Sequence, residues 1–302
     1  MFAQGMLQTL TMMNVPLFLM LTGYLNLNKK VNKKYYKGGI RVLVSYLVIS
    51  IITVLVRKYA FGESGISWLQ WIQKILNFSA IPYGWYIEMW IGLFLLTPFL
   101  NILWQNIDTK RNKQILLLTM YILTAFPNFF NRYGITLVPG YWVAMYPMSF
   151  FFMGAYVREY QPHVSKCKLL LIILGGCLIN PVLNTALGFV HTGTMIHIIG
   201  DGYGIVVMPL TMCFFMLCYD LKWNRCKKLW SSISVLSLEM YLFSYIFDIM
   251  VYRFFKQHFT DQAVMGYFYP LIIAIIVVLS YAASWLYALI RRLSSALKSF
   301  AR

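Results

Sequence analysis

The fold class this sequence predicts is all-α, a polytopic bundle of transmembrane helices, and three observations predict it. The 302-residue chain is 60% hydrophobic and only 12% charged, too little polar surface for ordinary water-soluble domains. Its apolar residues gather into nine segments of about the length that crosses roughly 30 Å of hydrocarbon as helix. No stretch alternates apolar and polar residues with the period a membrane barrel requires. The formal charge of +17 is sorted by loop rather than gathered on one face, so nucleic acid is not an expected partner.

The spans are predicted at residues 5–25, 39–56, 83–104, 115–131, 141–157, 168–190, 203–219, 230–252 and 268–290. The first carries Gln4, Gln8, Thr9, Thr11 and Asn14 in one half, polar groups that need a protein neighbour rather than lipid. Pro127 and Asn128 interrupt the fourth. In the longest gap, Ser67 and Gln70 form a capping-box pattern, and Trp68, Trp71, Ile72, Ile75 and Leu76 share one face of the short helix that follows. That helix is expected to lie along the interface, as an anchor or as a lid over a cleft. No linker, low-complexity run or repeat divides residues 1–302, which read as a single membrane domain.

Alternate gaps between spans receive 20 of the 26 Lys and Arg residues; the other gaps hold Arg57, Lys58, Lys74, Arg132, Arg253 and Lys256. The positive-inside rule then places the C-terminus in the cytosol and Met1 outside. No cation precedes Lys29 and no cleavable signal pattern is present. A further span upstream is therefore expected, the alternative being a translocated start.

Five cysteines, an odd number lying within spans or cytosolic gaps, argue against disulfides and CxxC metal sites. The four histidines show no metal-ligand spacing on a common helix; His191, His197 and Asp201 read as a solvated loop group. No metal is expected. Between Asn26 and Arg41, five Lys and one Arg stand beside Tyr35 and Tyr36, a patch suited to anionic lipid or to the phosphates of a soluble acyl donor.

Three carboxylates fall inside spans, where each costs a few kcal/mol unless partnered. Glu88 lies about 7 Å into its helix, and Gly84 and Gly92, four residues either way, would let a neighbouring helix approach it. On the eighth span Ser234, Ser237, Tyr241, Ser244 and Asp248 repeat at steps of three and four, a polar seam expected to point into the bundle. Asp248 and Glu88 fall at similar depths near the outer surface, so both could face one cleft. Glu239 projects away from the seam, among Val235, Leu242, Phe243 and Ile246, and must pair elsewhere.

Several stretches resemble the acyltransferase family 3 integral membrane proteins. Residues 15–25 (VPLFLMLTGYL) with the basic run through Tyr35, Tyr36 and Lys37 look like that family's second span and following loop. Residues 85–100 (WYIEMWIGLFLLTPFL) are similar to its fourth span, 237–242 (SLEMYL) to its ninth and 151–156 (FFMGAY) to its sixth. The pattern departs at Gly38 and Gly39, where basic residues are common, at Ser45, near an expected proline, and at Ser244, where a histidine often stands. The family's first span, with its Arg-rich entry and histidine, has no counterpart in 1–302. The resemblance implies ten spans and transfer of an acyl group, commonly acetyl, from acetyl-CoA as co-substrate, with no bound cofactor, to a sugar hydroxyl of a surface polysaccharide or lipid-linked glycan in a bacterial plasma membrane.

On that reading Lys33, Lys34, Lys37 and Arg41 meet the donor's phosphates, Trp85, Tyr86, Tyr241 and Ser244 line the acceptor site, and Glu88 and Asp248 carry the chemistry. A polysaccharide-related transporter using intramembrane carboxylates and a non-catalytic membrane subunit or decayed homologue are the alternatives.

Overall fold

The computed structural model describes residues 2–63, 65–131, 135–192, 202–221, 225–259 and 262–300, with only the backbone described for 2–4, 187–192, 262–263 and 294–300. His197 and Asp201 lie outside these residues, as does the side chain of His191. The chain forms α1 (Phe2–Met12), α2 (Asn14–Asn26), α3 (Lys33–Tyr59), α4 (Trp68–Leu76), α5 (Trp85–Gln105), α6 (Lys110–Ala125) and α7 (Pro127–Phe130). There follow α8 (Tyr146–Tyr160), α9 (Lys166–Thr192), α10 (Val207–Cys218), α11 (Lys227–His258), α12 (Gln262–Tyr267) and α13 (Tyr269–Phe300). No strand occurs among the described residues.

Burial runs opposite to that of a soluble protein. On α3 the buried face includes Ser45, Ser50 and Thr53, while Leu43, Val44, Leu47, Ile51 and Leu55 are exposed at helical spacing. On α13 Ser280 and Ser284 are buried while Ile273, Val277, Val278 and Ile290 face outward. Apolar side chains so displayed match hydrocarbon, and the small polar ones line the helix contacts. Among the described residues six helical stretches are long and apolar enough to cross a membrane: Gly5–Asn26, Lys33–Tyr59, Pro82–Gln105, Lys166–Ala186, Lys227–His258 and Tyr269–Leu293.

Each of the other three predicted spans also holds a helix, but a shorter one, of 16 residues in α6, 15 in α8 and 12 in α10. Pro127 restarts the chain as α7 after α6. The first residues of predicted span 141–157 instead form a 3₁₀ turn, Gly140–Met145, before Pro147 opens α8. At about 1.5 Å per residue these helices rise only about 18–24 Å.

The described chain divides into two compact units. One comprises Met1–Val31 and Leu95–Lys222, the other Asn32–Phe94 and Trp223–Arg302.

Within the first unit the first predicted span is broken at Met13 into α1 and α2. Pro16 has no N–H to offer the Met12 carbonyl, and Gly202 packs there so closely that an added Cβ would sit 2.8 Å from Met12 O. Thr9, fully buried, donates to Gly5 O and accepts from Asn180 Nδ2 at 3.0 Å, which supplies the protein neighbour that span required. Helices α2 and α8 cross at glycines on both sides. A Cβ on Gly23 would lie 1.9 Å from Phe151 O, and one on Gly154 1.9 Å from Met20 O, so the two backbones touch. At the far end of α8, Glu159 accepts from Trp104 Nε1 at 2.6 Å and pairs with Lys113 Nζ at 2.8 Å.

Within the second unit Tyr46, Ile49, Ile81, Ile87, Leu242, Phe243 and Ile246 form the main core, shared by α3, α5 and α11. The buried face of α11 is therefore the one that includes Glu239, which is 3% exposed. Its carboxylate accepts from Ser45 Oγ at 3.2 Å and meets Arg291 Nη1 at 3.5 Å.

Candidate functional site

All ten candidate residues fall in the second unit. The structure gathers some of them and separates others. Tyr83 stands in the Pro82–Gly84 turn that leads into α5. Proline fixes the start of that turn, and Gly84 is required after it, because a Cβ there would lie 2.2 Å from the Phe78 carbonyl oxygen. So placed, the Tyr83 hydroxyl donates a hydrogen bond to the Asp248 carboxylate. Tyr241 Oη donates to Tyr83 O at 3.3 Å. The Tyr83 ring lies 5.4 Å from that of Tyr241 and 5.8 Å from that of Tyr245, and Tyr86 meets Tyr241 edge-on at 5.6 Å. Asp248 is half-buried and bonded to Tyr83, whose ring in turn packs near those of Tyr241 and Tyr245.

Arg57 frames this cluster. Its guanidinium forks onto Glu63 at 2.8–3.1 Å, donates to Ala80 O at 3.1 Å, and lies over the rings of Trp71 at 4.8 Å and Tyr245 at 5.8 Å. Tyr46 Oη donates to Ile75 O at 2.7 Å. The predicted interfacial helix is thus α4, with its Ser67–Gln70 capping box formed and Trp71 turned inward. Trp68, Leu69, Ile72 and Leu76 remain exposed, so only part of its predicted apolar face packs on protein.

Glu88 differs from Asp248. It sits in the first turn of α5, where a carboxylate suits the helix dipole, and its side chain is exposed. Among the described residues it makes no ion pair, and it takes no part in the Tyr83–Asp248 and Tyr241–Tyr83 hydrogen bonds. Gly84 approaches the Phe78 backbone rather than a neighbouring helix, and Gly92 faces open space. Trp85 is exposed and meets Tyr86 edge-on at 6.3 Å.

The polar seam of α11 turns inward only in part. Ser234 is exposed, and the hydroxyls of Ser237 and Ser244 bond to carbonyls of their own helix, Ser234 O at 3.1 Å and Tyr241 O at 2.8 Å. A serine satisfied on its own backbone needs no partner across an interface.

Lys33, Lys34, Lys37 and Arg41 are all exposed on the first turns of α3. Asn32 caps that helix by accepting from Tyr35 N at 2.7 Å. Pro98 leaves the Phe94 carbonyl without its usual helical donor, and Tyr35 Oη supplies one at 2.7 Å, its ring stacked on Phe94 at 4.4 Å. Trp90 stacks on Phe94 at 4.9 Å, and a Cβ on Gly39 would press to 2.6 Å from the Phe94 ring. Glycine at 39 thus lets the cationic start of α3 close on α5.

Sequence reasoning missed Tyr83, Tyr245, Arg57 and Glu63. Tyr245 was visible as the seam position between Tyr241 and Asp248, whereas the Arg57 pairing depends on how the loop between α3 and α5 folds back.

A family model described as an acyltransferase domain, that of acyltransferase family 3, matches residues 1–289. The chain belongs to acyltransferase family 3. Its family match spans nearly all of both units, and its long apolar helices make it a multi-pass membrane protein. No curated protein and no solved structure matches the chain.

Proposed function

We propose that this family member is a membrane O-acyltransferase that moves an acetyl group from acetyl-CoA to a sugar hydroxyl of a surface polysaccharide or its lipid-linked precursor, in a bacterial plasma membrane with the C-terminus cytosolic. The observation that carries the reading is the Asp248 carboxylate, held by the hydroxyl of Tyr83, which belongs to a cluster of rings with Tyr241, Tyr245 and Tyr86. Tyrosine faces suit the apolar faces of a sugar ring, and a carboxylate beside them can take the proton of the attacking hydroxyl. The hydroxyl oxygen attacks the thioester carbonyl, the C–O bond forms, the C–S bond breaks and coenzyme A leaves as the thiol or thiolate. Lys33, Lys34, Lys37 and Arg41 present exposed charge for the donor's phosphates. Trp85 and Ser244 border the acceptor, and Glu88, exposed at the start of α5, serves as a second carboxylate for the acceptor hydroxyls.

The test is acetyl content of the surface polysaccharide, read by proton NMR in a deletion strain complemented with wild type, Asp248→Asn or Glu88→Gln. Both variants are expected at normal membrane abundance with the acetyl signal lost. Full acetylation by Asp248→Asn removes Asp248 from the site, and a deletion that leaves acetylation unchanged overturns the reaction assignment.

A further inference from the structure

A groove of ≈ 320 Å³ lies between the start of α11 and the later turns of α13. This is about the lower end of ligand-sized pockets. Lys228 and Arg292 bring two cations to it, with the hydroxyls of Ser231 and Ser232, and no carboxylate is among its lining residues. Ser232 Oγ and Tyr281 Oη share one hydrogen bond at 2.9 Å, which leaves one of their two O–H protons to donate elsewhere. The remaining wall is apolar: Leu236 and Ala288 are buried in its floor, while Val235 and Trp285 stand 59% and 53% exposed.

Lys228, Ser231, Ser232 and Val235 recur at helical spacing on one face of α11, as Trp285, Ala288 and Arg292 do on α13, so the groove follows the helix pair. It is cationic and hydroxylated where both long apolar stretches, Lys227–His258 and Tyr269–Leu293, reach their ends. That gradient matches an amphiphile with an anionic head at the membrane surface and a chain directed inward. We infer that this groove binds one anionic glycerophospholipid, its phosphate between Lys228 and Arg292 and an acyl chain against Trp285 and Val235. The site lies apart from the Asp248 cluster and does not depend on the proposed reaction.

The experiment is native mass spectrometry of the detergent-solubilised full chain, titrated with palmitoyl-oleoyl phosphatidylglycerol and, in parallel, with the matching phosphatidylcholine. Retention of one phosphatidylglycerol in preference to phosphatidylcholine is expected. Lys228→Ala with Arg292→Ala should weaken it on the order of tenfold or more, while Lys228→Arg with Arg292→Lys, which shows that the site tolerates substitution, keeps it. Trp285→Ala should weaken the lipid too. Undiminished binding by the double alanine variant, or an equal loss from Lys166→Ala with Lys168→Ala, overturns the site. Displacement of the lipid by inorganic phosphate or acetyl-CoA assigns the cations to a soluble phosphate and overturns the lipid as occupant.

Discussion

Replacing Tyr35 with Phe removes one oxygen from a helix contact and should be felt because of a proline on the other helix. Pro98 cannot donate to the Phe94 carbonyl, and Tyr35 Oη donates to it at 2.7 Å. The substitution keeps the ring that stacks on Phe94 at 4.4 Å, so it removes the hydroxyl while retaining the ring contact. An unsatisfied carbonyl away from water costs about 1–3 kcal/mol, and single hydrogen bonds in membrane proteins average about 0.6 and reach about 1.7 kcal/mol. Tyr35→Phe should therefore destabilise by about 1–2 kcal/mol. Pro98→Ala returns an N–H to residue 98, so the Phe94 carbonyl regains its own helical donor. In that background Tyr35→Phe should cost no more than a few tenths of a kcal/mol. The assay is reversible unfolding in mixed micelles, followed by tryptophan fluorescence, for the four proteins of the double-mutant cycle. An equal loss from Tyr35→Phe in both backgrounds refutes the orphan-carbonyl account.

Gly154→Ala or Gly23→Ala should cost at least about 2 kcal/mol, since each methyl enters a backbone-to-backbone crossing, whereas Gly175→Ala, with nothing within 4 Å, should gain about 0.5–1 kcal/mol; fluorescence-detected size exclusion after heating checks both. Glu159→Gln leaves Lys113, whose side chain is 7% exposed, without its counter-charge. A loss of about 2–3 kcal/mol is expected, below the 3–5 kcal/mol of fully buried pairs, with Lys113→Met recovering most of it in the double variant by thermal melting. Arg57→Lys keeps the charge but not the fork onto Glu63 and Ala80. Limited proteolysis should then cut the loop between α3 and α5 several-fold faster, and an unchanged rate would show that other contacts hold it.

How much of this was legible in the sequence depended on which residues carried the signal. The nine apolar segments each contain a helix, because a run of apolar residues in lipid has no other way to satisfy its backbone. Helix lengths were less legible. Apolar residues such as Val143 and Met145 continue the hydrophobic run but lie in a 3₁₀ turn before Pro147. The need of Glu239 for a partner followed from its depth, but Ser45 and Arg291 are far away in the chain and nothing local names them. Periodicity showed that Ser237, Tyr241, Ser244 and Asp248 share a face but not which way it turns. Serines that bond their own carbonyls carry no such information. Tyr83 was hidden because a tyrosine in an apolar segment reads as hydrophobic until its hydroxyl is seen to meet Asp248.

The pairing of Glu239 with Arg291 bears on how the protein enters its membrane. A lone ionised side chain at the middle of an inserting helix costs about 2.5–3.5 kcal/mol, and Glu239 is almost wholly buried in α11. Its counter-charge belongs to α13 and is synthesised later. Until that later helix emerges, α11 carries an uncompensated acid and lacks its final neighbour. The acid of α11 therefore gains its ion-pair partner only after synthesis has passed Arg291, and a chain stopped short of that residue is expected to turn over faster in the membrane than the full chain, as pulse-chase labelling would show.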